Sequence, residues 1–174
     1  GRSDQGNILG PNIAKPSGML FMTSEAVKQF FAAFTMDQRI CVLEQSTATV
    51  PEAAAAHGVD PDQIGKTLSF KLGDSPILIV VAGTAKIDNR KYKDRFAKKA
   101  VMLSPEEALE HTGHAIGGIC PFGLQKPLDV YLDVSLKKHA EIIPAAGDSY
   151  SSIRLTLEEL EEYSNSKGWV DVCK

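Results

Sequence analysis

The residues best suited to chemistry in this chain are a seven-residue loop and a lysine far upstream of it. Gly117-Gly118-Ile119-Cys120-Pro121-Phe122-Gly123 sets three glycines and a proline among apolar side chains and one thiol. Glycine lets a backbone reach positive φ or approach a ligand closely, and proline fixes φ while removing a donor. The stretch is too apolar for a flexible linker and too broken for a strand or helix. It reads as a shaped loop that presents backbone N–H groups, although a tight, partly buried turn has the same composition. Lys66 begins an expected strand and has the parity of its apolar residues Leu68, Phe70 and Leu72. A lysine there either snorkels to water or aims its ammonium at an anion in a pocket. Cys120 reads as a nucleophile beside the glycine amides or as a small buried thiol; no base is placed next to it by sequence. His111 and His114 flank Gly113, and Cys41 and Cys173 lack a C-x-x-C partner, so no metal site and no cofactor are expected.

The elements that must position these groups are short. Val27, Phe30, Phe31 and Phe34 fall at i, i+3, i+4 and i+7, an amphipathic helix entered near Thr23 or Ser24. Arg39 to Leu43 reads as a strand. Thr49 with Glu52 forms a capping box that opens an alanine-rich helix closed at Gly58, and Asp60 to Gln63 reads as a short helical turn broken by Gly65. Lys66 to Leu72 and Ile77 to Ala82 read as a hairpin around the turn Gly73 to Pro76. Asp88 caps a helix over Asn89 to Phe96, and Val101 to Leu103 reads as a strand. Ser104 with Glu107 is a second capping box, whose helix ends near Gly113. Strands are expected at Asp129 to Val134 and Glu141 to Ile143; the Pro144 to Asp148 loop leads into Ile153 to Leu155, Thr156 opens a last helix, and Trp169 to Cys173 ends the chain. Turns rather than helices join several strands, which predicts an α+β domain with a mixed sheet rather than a doubly wound parallel one.

Length and composition set the frame. At 174 residues, 43% hydrophobic and 24% charged, the chain suits one globular domain, assigned to residues 19–174. Residues 1–18, rich in Gly, Pro, Asn and Ser, read as a tag or a disordered tail, with Met19 or Met22 as a natural start. No apolar run approaches the ~20 residues of a membrane span. Three widely spaced cysteines and no signal-peptide pattern point to a reducing cytoplasm. A net charge of −3 argues against bulk nucleic-acid coating, DNA included, but leaves room for a local basic face. Arg90, Lys91, Lys93, Arg95, Lys98 and Lys99 form such a run, either a solvated helix face or a phosphate contact, with Lys126, Lys137 and Lys138 elsewhere in sequence.

Ile64-Gly65-Lys66-Thr67-Leu68, the turn and helix from Gly83 to Lys91, and the Gly117 to Gly123 loop together resemble the YbaK/ProX family of aminoacyl-tRNA deacylases, related to the editing domain of bacterial prolyl-tRNA synthetases. The resemblance runs from about Thr23 to Tyr163. It implies a mixed sheet or partial barrel flanked by helices, and hydrolysis of the ester joining a wrong amino acid to tRNA, with water as the nucleophile and the ribose 2′-hydroxyl assisting. It implies that Lys66 binds the terminal phosphate or steadies the substrate carbonyl, and that the amides of Gly117, Gly118, Ile119 and Cys120 receive the developing oxyanion. Pro121, Phe122 and Gly123 complete the loop. Asp133 and the Pro144 to Asp148 segment, including Ala146 and Gly147, match family positions near the pocket. The partner implied is the acceptor end of an aminoacyl-tRNA carrying a small residue such as Ala, Ser or Cys, with a prolyl-tRNA synthetase complex as a further candidate. A non-catalytic tRNA- or synthetase-binding relative and a hydrolase of small esters or thioesters are the alternatives.

Overall fold

The computed structural model of the protein describes residues 18–174. The tail expected over residues 1–18 lies, apart from Gly18, outside the described residues. The elements in order are α1 (Gly18–Ala32), β1 (Ile40–Val42), α2 (Val50–His57), β2 (Ile64–Phe70), β3 (Ile77–Ala82), α3 (Asn89–Phe96), α4 (Pro105–Thr112), β4 (Asp129–Asp133), β5 (Glu141–Pro144), β6 (Ser151–Ile153), β7 (Leu155–Thr156), α5 (Leu157–Tyr163) and β8 (Trp169–Val170). The expected α+β domain is what forms. Six strands make a mixed sheet in the order β7-β5-β2-β3-β4-β8, curled as a half-barrel, and β1 pairs with β6 in a separate ribbon.

Local chemistry accounts for the helix ends. The Thr49 hydroxyl accepts from the Glu52 amide and the Glu52 carboxylate accepts from the Thr49 amide. Ser104 with Glu107 and Thr156 with Glu159 repeat the arrangement, and the Asp88 carboxylate accepts from the amides of Arg90 and Lys91. Each cap satisfies amides that the first helical turn leaves orphaned, worth ~1 kcal/mol apiece. α1 starts upstream of the expected entry, because Met19 to Met22 are residues a helix accepts readily. Phe34 falls beyond its last turn and lays its ring on Tyr163, the centroids 4.9 Å apart.

The central hairpin fixes two faces. β2 and β3 pair antiparallel, with Lys66 opposite Val81 and Thr67 opposite Val80. Strand side chains alternate between faces, so Leu78, Val80 and Ala82 pack against α1, Phe122 and α5, while Ile77, Ile79 and Val81 pack against Phe70, Tyr92 and Val172. β3 is therefore buried along its whole length, as its unbroken apolar run requires. Phe31 and Phe122, both fully buried with centroids 4.9 Å apart, anchor the first core. Burying each contributes roughly 1.5–3 kcal/mol.

Several boundaries differ from expectation. Gly65 does not break the turn before it but sits inside β2, where its missing side chain admits Ile142 and Pro144 of β5. Leu72 lies outside the strand. Val101 to Leu103 forms only a single bridge, from Met102 to Phe70. The segment Ile153 to Leu155 is split between β6 and β7, which join different sheets, and Trp169 to Cys173 holds a two-residue strand followed by a bridge from Cys173 to Ile87. Short segments such as these carry too little periodicity for their partner to be read from sequence.

Candidate active site

β5 pairs with β2 only at Ile64 and Gly65, and the next segment on that side meets β2 at Ser69 and Phe70, so the edge of β2 is open from Lys66 to Leu68. Against this edge lies a cavity of about 240 Å³, closed by α2, by the segment leading into α4, and by Gly117 and Ile119 of the glycine loop. That is below the ~300–1,000 Å³ of sites for drug-sized ligands, so it suits a small group. Among the described residues lining it, Lys66 is the only charged one, and no carboxylate faces it. Thr67 also lines the wall, and its buried hydroxyl has no hydrogen-bond partner among the described residues.

Lys66 leaves β2 on the face of Leu68 and Phe70, as its parity requires. Its ammonium donates to the Ala85 carbonyl at 2.8 Å rather than to the glycine loop. Two further N–H bonds of the ammonium remain for other acceptors. Burial lowers its pKa, and neighbouring Lys86 acts in the same sense.

The glycine loop is built by close approach. Gly117 has φ of 92° and its Cα faces Ala48. Gly118 is packed so tightly that a Cβ would collide with the backbone of Gly147 and Asp148. The Gly118 carbonyl accepts from the Gly147 amide at 3.2 Å. The Gly118 amide donates to the Ala115 carbonyl at 3.0 Å, which removes it from the four donors expected for an oxyanion. Among the described residues the amides of Gly117, Ile119 and Cys120 have no acceptor.

The rest of the loop turns inward. Phe122 is core rather than cavity wall, and its carbonyl accepts from His114 Nε2 at 2.7 Å. Pro121 is buried, and Gly123 packs on the Ala26 backbone of α1. Ala146 and Gly147 stand behind the loop as its support, Ala146 donating to the Ser151 carbonyl at 2.9 Å. Asp133 is also placed away from the cavity lining: fully buried, it accepts from the amides of Ser135 at 2.9 Å and Val172 at 2.8 Å, tying β4 to the C-terminal segment. The structure thus gathers Lys66, Gly117 and Ile119 at one cavity and leaves Gly118, Cys120, Pro121, Phe122, Gly123, Asp133, Ala146 and Gly147 outside its lining.

Cys120 is fully buried, with Sγ 3.7 Å from the Phe122 carbonyl, and desolvation pushes its pKa up to about 12. At neutral pH the thiolate population is negligible, so the thiol is packing. Cys120→Ser is expected to retain activity within a few-fold, since the Phe122 carbonyl accepts the replacement hydroxyl; complete loss in a deacylation assay would restore the thiol as nucleophile.

Three features of the site escape a reading of the sequence: Thr67, Ser152 and His57. Ser152 lines the cavity and its hydroxyl lies 2.7 Å from His57 Nε2. The helical spacing of Val50, Ala53 and His57 places them on one face of α2, a signal the sequence does carry. The serine that meets His57 is 95 residues away, and no local pattern points to it.

The curled mixed half-barrel that carries this cavity matches the fold of solved editing-domain neighbours. The chain belongs to the aminoacyl-tRNA editing domain family, which it matches over residues 44–163. It is 51% identical over 154 residues to the uncharacterized protein YwhH of Bacillus subtilis, covering 88% of this chain and 98% of that one. A solved protein provisionally described as a trans-editing enzyme for prolyl tRNA synthetase aligns with a TM-score of 0.79 at 30% identity, covering 87% of this chain and 97% of the other. The proline–tRNA ligase of Bacillus pumilus is 28% identical over 102 residues, 58% of this chain but only 18% of the ligase.

Proposed function

We propose that this protein is a deacylase that acts in trans on mischarged tRNA, hydrolysing the ester between a small amino acid and the terminal ribose. The observation that carries this reading is the cavity itself, about 240 Å³, with Lys66 as the one charged residue among its described lining and the loop that contributes Gly117 and Ile119 beside it. Attack on an ester develops negative charge on the carbonyl oxygen. Backbone amides fixed before the reaction stabilise that charge without reorganising, each worth on the order of 3 kcal/mol. The amides of Gly117 and Ile119, which line the cavity, and of the adjoining Cys120 are proposed for that role, with Lys66 as the wall's cation, its ammonium bonded to the Ala85 carbonyl.

The cavity size supports a short aminoacyl side chain. Discrimination by one methylene is worth only ~1–3 kcal/mol, the circumstance in which a second, hydrolytic site is needed. The exposed basic face of α3 is the proposed contact for the acceptor stem, and a prolyl-tRNA synthetase complex is the proposed setting. Among the described residues no helix is long and apolar enough to cross a membrane.

A deacylation panel of Ala-, Ser-, Cys-, Thr- and Pro-charged tRNA tests the reading. The expected result is release of at least one small amino acid, slowed as salt is raised. Binding of all five without hydrolysis would make the protein a non-catalytic relative, and salt-insensitive cleavage of small esters with no use of the tRNA body would make it a general esterase.

A further inference from the structure

The cavity contains no carboxylate among its described lining residues, so the proton of the attacking water passes to another group, either the substrate's ribose 2′-hydroxyl or a side chain of another kind. Ser152 and His57 supply a path. Ser152 is 2% exposed on β6, lines the cavity, and makes its side-chain hydrogen bond to His57 Nε2 at 2.7 Å. His57 sits in the last turn of α2, on the same helical face as the wall residues Val50 and Ala53. The hydroxyl therefore stands between the imidazole and the cavity. A hydroxyl in this position transmits a proton without leaving its site: it receives one on oxygen while releasing its own to the ring nitrogen.

We propose that Ser152 and His57 form a proton relay for the hydrolytic water of this site. The water oxygen bonds to the ester carbonyl carbon as its proton passes to Ser152 Oγ, and the Ser152 proton passes to His57 Nε2. The carbon–oxygen bond to the ribose then breaks, and the proton returns from His57 through Ser152 to the departing ribose oxygen. The products are the free amino acid and the tRNA hydroxyl, with the dyad restored. This requires the tautomer with hydrogen on His57 Nδ1 and a neutral ring at rest.

The surroundings favour that neutral ring. Burial, reinforced by the Arg154 cation on the link between β6 and β7, holds His57 below its ordinary value of 6.5. Arg154 is paired with Glu141 of β5 at 3.3 Å, and Glu52, the acidic residue of α2, is engaged at the opposite end of the helix in its capping box. The inference rests on the deacylase reading and names a base for it.

The test measures kcat/KM from pH 5 to 9 on the five charged tRNAs above, for the wild type, His57→Gln and Ser152→Ala, with thermal melts alongside. His57 is only partly buried, so the glutamine variant is expected to fold. The wild-type rate should fall on the acid side with an apparent pKa below 6.5, both variants should lose roughly 10²- to 10⁴-fold, and the acid limb should vanish from His57→Gln. A wild type that cleaves none of the five removes the deacylase reading and this inference with it. Cleavage by the wild type with His57→Gln within threefold of it removes the relay alone. A rate loss that leaves the acid limb in place marks a packing role and overturns the relay. So does an aminoacyl ester on Ser152 in the mass spectrum, which would make the serine the nucleophile.

Discussion

Gly118→Ala is expected to abolish deacylation and to destabilise the protein by about 2–3 kcal/mol, the scale of overpacking in a tight interior. The new methyl has nowhere to go, since the atoms it meets are the backbone of Gly147 and Asp148 rather than the end of a flexible side chain. Relief requires the two loops to part, which breaks the 3.2 Å bond from the Gly147 amide to the Gly118 carbonyl. The amides of Gly117, Ile119 and Cys120 then lose their common frame, and with it goes the stabilisation of the carbonyl oxygen proposed for them. Gly73→Ala is the control. Unlike Gly118, Gly73 has positive φ, 59°, and nothing lies within 4 Å of the added methyl. It should lose about 1–2 kcal/mol from left-handed strain alone and keep full activity. Urea unfolding and a single deacylation time course separate the two. Equal stability and activity of Gly118→Ala and wild type would show that the loops do not touch.

Lys66→Met is expected to lower activity by at least ~10²-fold while leaving stability unchanged or slightly raised. The two effects have one cause. The ammonium is partly desolvated and its pKa is lowered by burial, so the protonated form is disfavoured in the folded state. Its hydrogen bond to the Ala85 carbonyl repays only part of that. A methionine keeps the apolar stem against the Leu68 face and removes the buried charge. Proteins commonly retain such unfavourable groups where function uses them. Retained activity would remove Lys66 from the mechanism, and a large drop in melting temperature would recast it as a structural residue held by Ala85.

Features set by neighbours in sequence are legible in the chain itself. The capping boxes at Thr49 and Ser104, the Asp88 cap, the left-handed Gly58 and the antiparallel pairing of β2 with β3 all follow from residues close to one another along the chain. The inward parity of Lys66 is legible for the same reason, as it needs only the period of a strand. The glycine loop is recognisable as a shaped backbone, but which half of it faces the cavity is not. Ile119 and Phe122 are both apolar, and only the position of α1 decides that Phe122 joins Phe31 in the core.

The sequence alone determined the residue types, the helix caps, the strand periods and the class of domain, because those depend on steric and hydrogen-bonding preferences that act locally. The tertiary structure decided which polar groups meet: the Lys66 ammonium with Ala85, the Gly118 carbonyl with Gly147, Asp133 with the Val172 amide, and Ser152 with His57. Such contacts form between segments distant in the chain. Their geometry is set by how the two faces of one curled sheet are covered, and no local preference carries that information.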